Sequence, residues 1–218
     1  MLVVGLTGGI AMGKSHVTRL LRAHGLPVFD ADAAVHQLLG PGGAAVAAVA
    51  AAFPETLRED GAIDRAALGR AVFADQARLR QLEAILHPLV RGLERRFLAS
   101  AARARAPVVV LDIPLLFESG AARRVDRIVT VSVPAWLQEQ RVLRRPGMDR
   151  AKLRGILARQ ASDARRRRGA DHVIASGHDQ GRMAEEIARL LRSWHGLEGA
   201  VWPARWAVAA APRPGRGN

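Results

Sequence analysis

The sequence predicts an α/β protein: a mainly parallel sheet of five strands with helices on both faces. Five short apolar runs alternate with segments of helical periodicity, the pattern of strands joined by helical crossovers. The runs are short and mainly apolar, as expected of strands covered on both sides. The first run leads directly into a glycine-rich loop that opens a helix.

Residues 2–6 (LVVGL) read as a buried strand, ended by Gly8-Gly9. From Lys14 to His24, Val17, Leu20 and Leu21 recur at helical spacing and Gly25 supplies a cap. Pro27-Val28-Phe29 is a second strand, closing on Asp30-Ala31-Asp32. An Ala-rich helical region follows, broken at Gly40-Pro41-Gly42-Gly43 and near Asp60-Gly61. Residues 64–73 and 75–104 continue it, the second with Leu79, Leu82, Ile85, Leu86, Leu89, Leu93 and Phe97 on one face. Val108 to Leu111 is the clearest strand and ends at Asp112. Arg127 to Val133 is the fourth, followed by helical patterns over 134–145 and 149–168. His172-Val173-Ile174 is the last strand, and a helix runs from Asp179 to Trp194.

The strands and their crossovers assign residues 1–32, 106–140 and 169–196 to the sheet-bearing core. Residues 33–105 are too long for one crossover and read as a helical insertion. Residues 141–168 form a basic segment, and 197–218, rich in Ala, Pro, Gly and Arg, read as a mostly disordered tail.

Composition narrows the function. Of 218 residues, 33 are Lys or Arg and 20 are Asp or Glu, a net charge of +13. The excess is local: residues 141–168 carry eleven basic groups and two acids, and 199–218 add three Arg. Only Lys14 and Lys152 are lysine, an arginine bias that a G+C-rich genome explains without reference to function. No aromatic residue is interleaved among the arginines of 141–168 and the chain has no Tyr, which disfavours a nucleic-acid-binding ATPase. No apolar run reaches membrane-spanning length, no signal peptide begins the chain, and there is no cysteine for a disulfide or thiolate site. The expectation is a soluble cytoplasmic protein, with no membrane or nucleic-acid partner and an oligomeric state that the sequence leaves open.

Gly8-Gly9-Ile10-Ala11-Met12-Gly13-Lys14-Ser15 matches G-x-x-x-x-G-K-[ST] between a strand and a helix. Glycines let the backbone curl so that its N–H groups face phosphate oxygens, and the helix N-terminus adds positive potential. Lys14 would reach the β- and γ-phosphates and the Ser15 hydroxyl would take a place on Mg²⁺. A chain that uses Arg almost everywhere keeps Lys here, where a compact point charge is needed. The N/T-K-x-D element of a GTPase is missing, because the only other lysine lies in Lys152-Leu153-Arg154-Gly155. A small-molecule kinase with an arginine-bearing lid fits better.

Further along, Leu6-Thr7-Gly8-Gly9-Ile10, Asp30-Ala31-Asp32, His87-Pro88-Leu89, Asp112-Ile113-Pro114-Leu115-Leu116-Phe117-Glu118, Arg159-Gln160 and Ala170-Asp171 occur in that order. Together they resemble the dephospho-CoA kinase family over about residues 2–195. The resemblance implies a P-loop NTPase three-layer core, a helical CoA-binding insertion and a helical lid. It implies ATP with Mg²⁺ as phosphoryl donor and dephospho-CoA as acceptor, phosphorylated on its ribose 3′-hydroxyl. A P-loop kinase for another small acceptor, such as a nucleoside or nucleotide, is the alternative.

On that resemblance Asp32 is the general base and Asp30 a substrate contact, though Asp30 suits a helix cap equally well. Gly8 to Ser15 and His16 would cradle the nucleotide. Asp112 would hold Mg²⁺ through water, with Ser15. Arg141 and Arg145 match lid arginines that stabilise the transferring phosphoryl group, and Arg166 matches a further nucleotide contact. His87, Leu115, Leu116, Phe117 and Glu118 would contact the acceptor. The other arginines of 141–168 read as a solvated face. Four departures stand out: Ala11 and Met12 replace the usual Gly-Ser, His16 replaces a common Thr, Pro146 replaces an acid after the lid, and Ser176 replaces an Asn near the adenine end. Ala11 matters only if its position requires φ > 0.

Overall fold

A computed structural model describes residues 1–73, 75–177 and 180–206. Its five strands are β1 (Leu2–Gly8), β2 (Val28–Asp30), β3 (Val108–Asp112), β4 (Arg127–Ser132) and β5 (His172–Ala175). They form one sheet in the order β2-β3-β1-β4-β5. β1 is central and buried along its whole length. It pairs in parallel with β3 (Leu2 opposite Val108 through Leu6 opposite Asp112) and with β4 (Val4 opposite Arg127 through Gly8 opposite Val131). β4 pairs in parallel with β5 from Val129 opposite His172 to Ser132 opposite Ala175. These registers bring the ends of β1 and β3 side by side, and so place Asp112 next to the glycine-rich loop.

The helices are α1 (Lys14–Ala23), α2 (Ala31–Leu39), α3 (Val46–Ala52), α4 (Arg65–Phe73), α5 (Gln76–Arg103), α6 (Ala135–Leu143), α7 (Arg150–Arg159), α8 (Asp163–Arg168) and α9 (Gln180–Trp194). The chain divides into two compact units: Met1–Val28 with the chain from Ala101 onward, and Phe29–Ser100. In the first unit, Leu2, Val4 and Leu6 of β1 meet Val17 and Leu21 of α1 and Met183, Ile187, Leu190 and Trp194 of α9. In the second, Leu38, Leu39, Val49, Phe53, Ile63, Leu68 and Leu82 make a separate helical core. That core uses the leucine face anticipated on α5, and Leu86, Leu89 and Leu93 pack against it.

Two expectations are corrected. The single helix expected over 149–168 is two, α7 and α8. Ser162 ends the run by capping α8, its hydroxyl accepting the Arg165 N–H at 3.2 Å. α8 is anchored to β4 rather than belonging to a free lid: the Ser132 hydroxyl donates to Asp163 at 2.8 Å, and the Arg166 side chain is only 2% exposed.

The tail departs from expectation as far as it is described. The Asp126 carboxylate accepts the N–H groups of Ala200 and Val201 at 2.7 and 2.9 Å through one oxygen, and that of Val3 at 2.8 Å through the other. Val201 and Trp206 are buried, and the Trp206 indole donates to the Arg124 carbonyl at 3.2 Å. Two buried apolar side chains and one shared carboxylate hold 199–206 in place despite their loop-like composition. Residues 207–218 lie outside the described residues.

Candidate active site

The loop between β1 and α1 is shaped by two left-handed residues, Ala11 (φ 57°) and Gly13 (φ 89°). Gly13 is the N-cap of α1, with no side-chain cap and no acid in the first turn of the helix. The positive end of α1 is therefore neither neutralised nor covered by its own sequence, as an anion site requires. Gly13 is also needed for space: a Cβ there would lie 2.5 Å from the Ser176 hydroxyl oxygen. At Ala11 the backbone takes the same handedness with a Cβ present, so this departure is a strained one.

Side chains from four elements hold the loop in shape. Met12 is buried, and its sulfur accepts the Val133 N–H at the end of β4 at 3.2 Å. Its carbonyl accepts a short hydrogen bond from the Ser176 hydroxyl, just past β5. Gln138 of α6 donates to the Ile10 carbonyl at 2.9 Å. Gln160, at the end of α7, accepts the Ile10 N–H at 3.2 Å. The Arg166 guanidinium lies so close to Gly9 that a Cβ there would be 2.6 Å from Nη2.

Lys14 Nζ donates to Asp112 Oδ1 at 2.5 Å, and the Thr18 hydroxyl donates to Oδ2 at 2.7 Å. Asp112 is 2% exposed. A buried carboxylate persists because a cation and a hydroxyl share its charge. Lys14 and Thr18 are four residues apart, hence on one face of α1. Ser15, in contrast, is exposed on the first turn. Ser15 and Asp112 are hard oxygen donors, and among the described residues no three His, Cys, Asp or Glu gather into a metal cage. That donor set suits Mg²⁺, which keeps most of its water and is held chiefly by substrate phosphates.

Arg141 reaches the loop. It donates to the Ser176 carbonyl at 2.9 Å, the Ser176 hydroxyl at 3.3 Å and the Ala11 carbonyl at 3.5 Å. Arg145 is exposed beyond α6, and Arg144, Arg150, Arg154, Arg165, Arg167 and Arg168 are exposed too, the solvated face anticipated for them. Arg166 is buried beneath the loop, where it donates to the Ala161 carbonyl at 2.6 Å. Burial lowers its pKa from the usual guanidinium value, opposed by the nearby charges of Asp163 and Glu118. Its Nε is buried without a hydrogen-bond partner among the described residues. His16 meets Arg19 through Nδ1 at 3.1 Å, while its Nε2 is also buried and unpartnered among those residues.

The expected acceptor contacts separate. Leu116 is fully buried against Gly5, whose missing side chain makes room for it: a Cβ at Gly5 would stand 2.6 Å from Leu116 Cδ1. It is a core residue and not a pocket wall. Leu115 is exposed, the Phe117 ring lies over Gly169, and Glu118 accepts the Ala161 N–H at 2.5 Å. In the Phe29–Ser100 unit, Asp30 is the N-cap of α2, accepting the Ala33 N–H at 2.9 Å, while Asp32 is exposed in the first turn. His87 is exposed on α5, which runs unbroken through Pro88.

Thr18, Gln138 and the structural uses of Gln160 and Ser176 were not anticipated. Thr18 had a signal, a polar residue between Val17 and Leu21 on the buried face of α1. Gln160 had one too, as part of the Arg159-Gln160 pair, while Gln138 and Ser176 act on loop carbonyls, which leave no trace in a residue pattern.

Comparison with known proteins shows the family. The family model described as dephospho-CoA kinase matches residues 2–180. A curated dephospho-CoA kinase of Paramagnetospirillum magneticum is 58% identical over 167 residues, covering 77% of this chain and 78% of the relative. A Thermus thermophilus crystal structure superposes with a TM-score of 0.76 at 34% identity, covering 88% of this chain and 96% of that one. The dephospho-CoA kinase structure from Campylobacter jejuni, at 19% identity, shares the fold with a TM-score of 0.60, covering 88% and 96%. No described helix is long and apolar enough to cross a membrane. From the phosphate loop to the last strand, the chain belongs to the dephospho-CoA kinase family.

Proposed function

We propose that this chain transfers the γ-phosphoryl group of ATP to the ribose 3′-hydroxyl of dephospho-CoA, yielding coenzyme A and ADP, the last step of coenzyme A synthesis. The observation that carries the reading is the phosphate loop with Lys14 set against the buried Asp112, in a chain whose relatives are curated as dephospho-CoA kinases.

Lys14 exchanges Asp112 for the β- and γ-phosphates when nucleotide enters, one ionic partner for another, while Thr18 keeps its bond to Asp112. The N-terminal turn of α1, with no acid of its own, receives the phosphate charge. Mg²⁺ bound with the nucleotide would be held by Ser15 and, through water, by Asp112, and would supply charge neutralisation for the phosphates. The acceptor 3′-oxygen forms its bond to the γ-phosphorus as the bond from that phosphorus to the β,γ-bridging oxygen breaks. The hydroxyl proton passes to the Asp32 carboxylate, and the bridging oxygen leaves on ADP. Asp30 caps α2, and Asp32 keeps the role of base that the resemblance implies. Arg141 stabilises the charge that spreads over the phosphoryl oxygens, and Arg145 joins it when the lid closes.

The test is ADP release from ATP and Mg²⁺ with dephospho-CoA, AMP, shikimate or a nucleoside as acceptor. ADP formation with dephospho-CoA alone is expected. Turnover with AMP or shikimate and none with dephospho-CoA would overturn the reading.

A further inference from the structure

Gln160, like Arg141, hydrogen-bonds the phosphate loop directly, and it does so at a loop N–H. Its Oε1 accepts the N–H of Ile10, the third residue of the loop motif, at 3.2 Å. The same peptide neighbourhood is fixed from the other side, because the Ile10 carbonyl takes a hydrogen bond from the buried Gln138. Gln160 is itself held on a rigid base. The next residue, Ala161, donates its N–H to Glu118 at 2.5 Å and accepts Arg166 Nη1 on its carbonyl at 2.6 Å. Ser162 then caps α8. The turn between α7 and α8 is thus pinned by one carboxylate, one buried guanidinium and one cap, with the Gln160 amide aimed at the loop. A side chain needed only to end a helix would not require such support.

An amide is suited to this place for a chemical reason. Loop N–H groups serve phosphate oxygens, and Gln160 Oε1 shows where an oxygen acceptor sits against one of them. An incoming phosphoryl oxygen competes for the same N–H. When Oε1 yields, the same side-chain amide still has an Nε2 group with two N–H donors to offer. One neutral side chain can therefore hold the loop and then donate to the phosphoryl group, which a carboxylate at the same position cannot do.

We propose that Gln160 is a γ-phosphoryl-positioning residue that binds the Ile10 N–H and then donates a hydrogen bond to the terminal phosphate of ATP, so that the site distinguishes ATP from ADP. This rests on the ATP-binding reading above, and the experiment separates the two. Binding of Mg²⁺–ADP and of a non-hydrolysable Mg²⁺–ATP analogue is measured by calorimetry on the wild type, Gln160→Ala and Gln160→Glu. The glutamate keeps the length and the acceptor oxygen for Ile10 but loses the donor and adds a charge.

For Gln160→Glu, affinity for the ATP analogue should fall about 10- to 100-fold, the worth of one hydrogen bond to a charged group, while ADP affinity holds. Gln160→Ala should lose the preference for the analogue in the same direction. A structural role alone predicts that alanine weakens both nucleotides equally, which overturns the proposal, as does wild-type affinity for the ATP analogue in the glutamate variant. If the wild type binds neither nucleotide, the ATP reading itself fails. Circular dichroism on each variant confirms that a loss is not unfolding.

Discussion

Ala11 offers the sharpest test of the loop geometry, because its strain can be relieved without touching a functional side chain. Its φ of 57° lies in the left-handed region, where a Cβ costs about 1–2 kcal/mol. Ala11→Gly removes that cost and adds about 0.4–1 kcal/mol of chain freedom to the unfolded state. At the midpoints of the two ranges the difference leaves a net stabilisation of about 0.8 kcal/mol. For a chain of this length, each kcal/mol moves Tm by about 2–4 °C, so thermal unfolding followed by circular dichroism should show a rise of about 1–4 °C. Ala11→Val should move Tm the other way, since a β-branched side chain tolerates left-handed backbone worse than alanine does. Turnover of the glycine variant should stay near that of the wild type, because Arg141 and the loop reach each other through the Ala11 carbonyl, which is retained. A fall in Tm for Ala11→Gly, or no change for Ala11→Val, would show that the loop does not adopt the left-handed turn and would refute the reasoning.

Three other outcomes are expected. Asp32→Asn should lower turnover by about 10²–10⁴-fold, the usual contribution of a general base, with nucleotide binding and thermal unfolding unchanged; near-normal turnover would move the role to another group. Leu116→Ala should cost about 2–5 kcal/mol in denaturant unfolding, since Leu116 is fully buried against Gly5, whereas a pocket-lining residue would change KM for the acceptor and leave stability nearly intact. Asp64 accepts the N–H groups of Ala66 and Ala67, and these bonds hold its carboxyl below the ordinary carboxylate pKa. A pKa depressed by folding stabilises at pH values above the unfolded value and ceases to as pH falls through the folded value. The stability gap between wild type and Asp64→Ala should therefore be present at neutral pH and close in acid, below the ordinary carboxylate range; a gap that persisted there would rule out the capping charge as its source.

The sheet and most helices were legible because burial writes itself into sequence. β1 is buried at every position, and it reads as an unbroken apolar run. The phosphate loop was legible because its glycines and Lys14 answer to local chemistry at fixed spacing. Hidden from the sequence were contacts made between distant segments through backbone groups. Gln160 reaches Ile10 and Ser176 reaches Met12 across 150 and 164 residues. Nothing in a glutamine or a serine announces a partner so far away. Leu116 suited the core as well as a pocket for a related reason: a family motif marks a segment, and only packing shows which of its side chains face inward. The described part of the tail was misread because its composition is that of a loop, while Asp126 and the buried Val201 and Trp206 fix it. The local excess of positive charge divides in the same way, with Arg141 and Arg166 turned to the loop and the remaining arginines of the segment facing solvent.

The most direct measurement is to identify the product made from ATP, Mg²⁺ and dephospho-CoA by phosphorus and proton NMR. The expected result is one new phosphomonoester coupled to the ribose H3′, in amounts equal to the ADP released and absent with Lys14→Ala. A phosphate on another acceptor position, or ADP formed without phosphorylated acceptor, would contradict it.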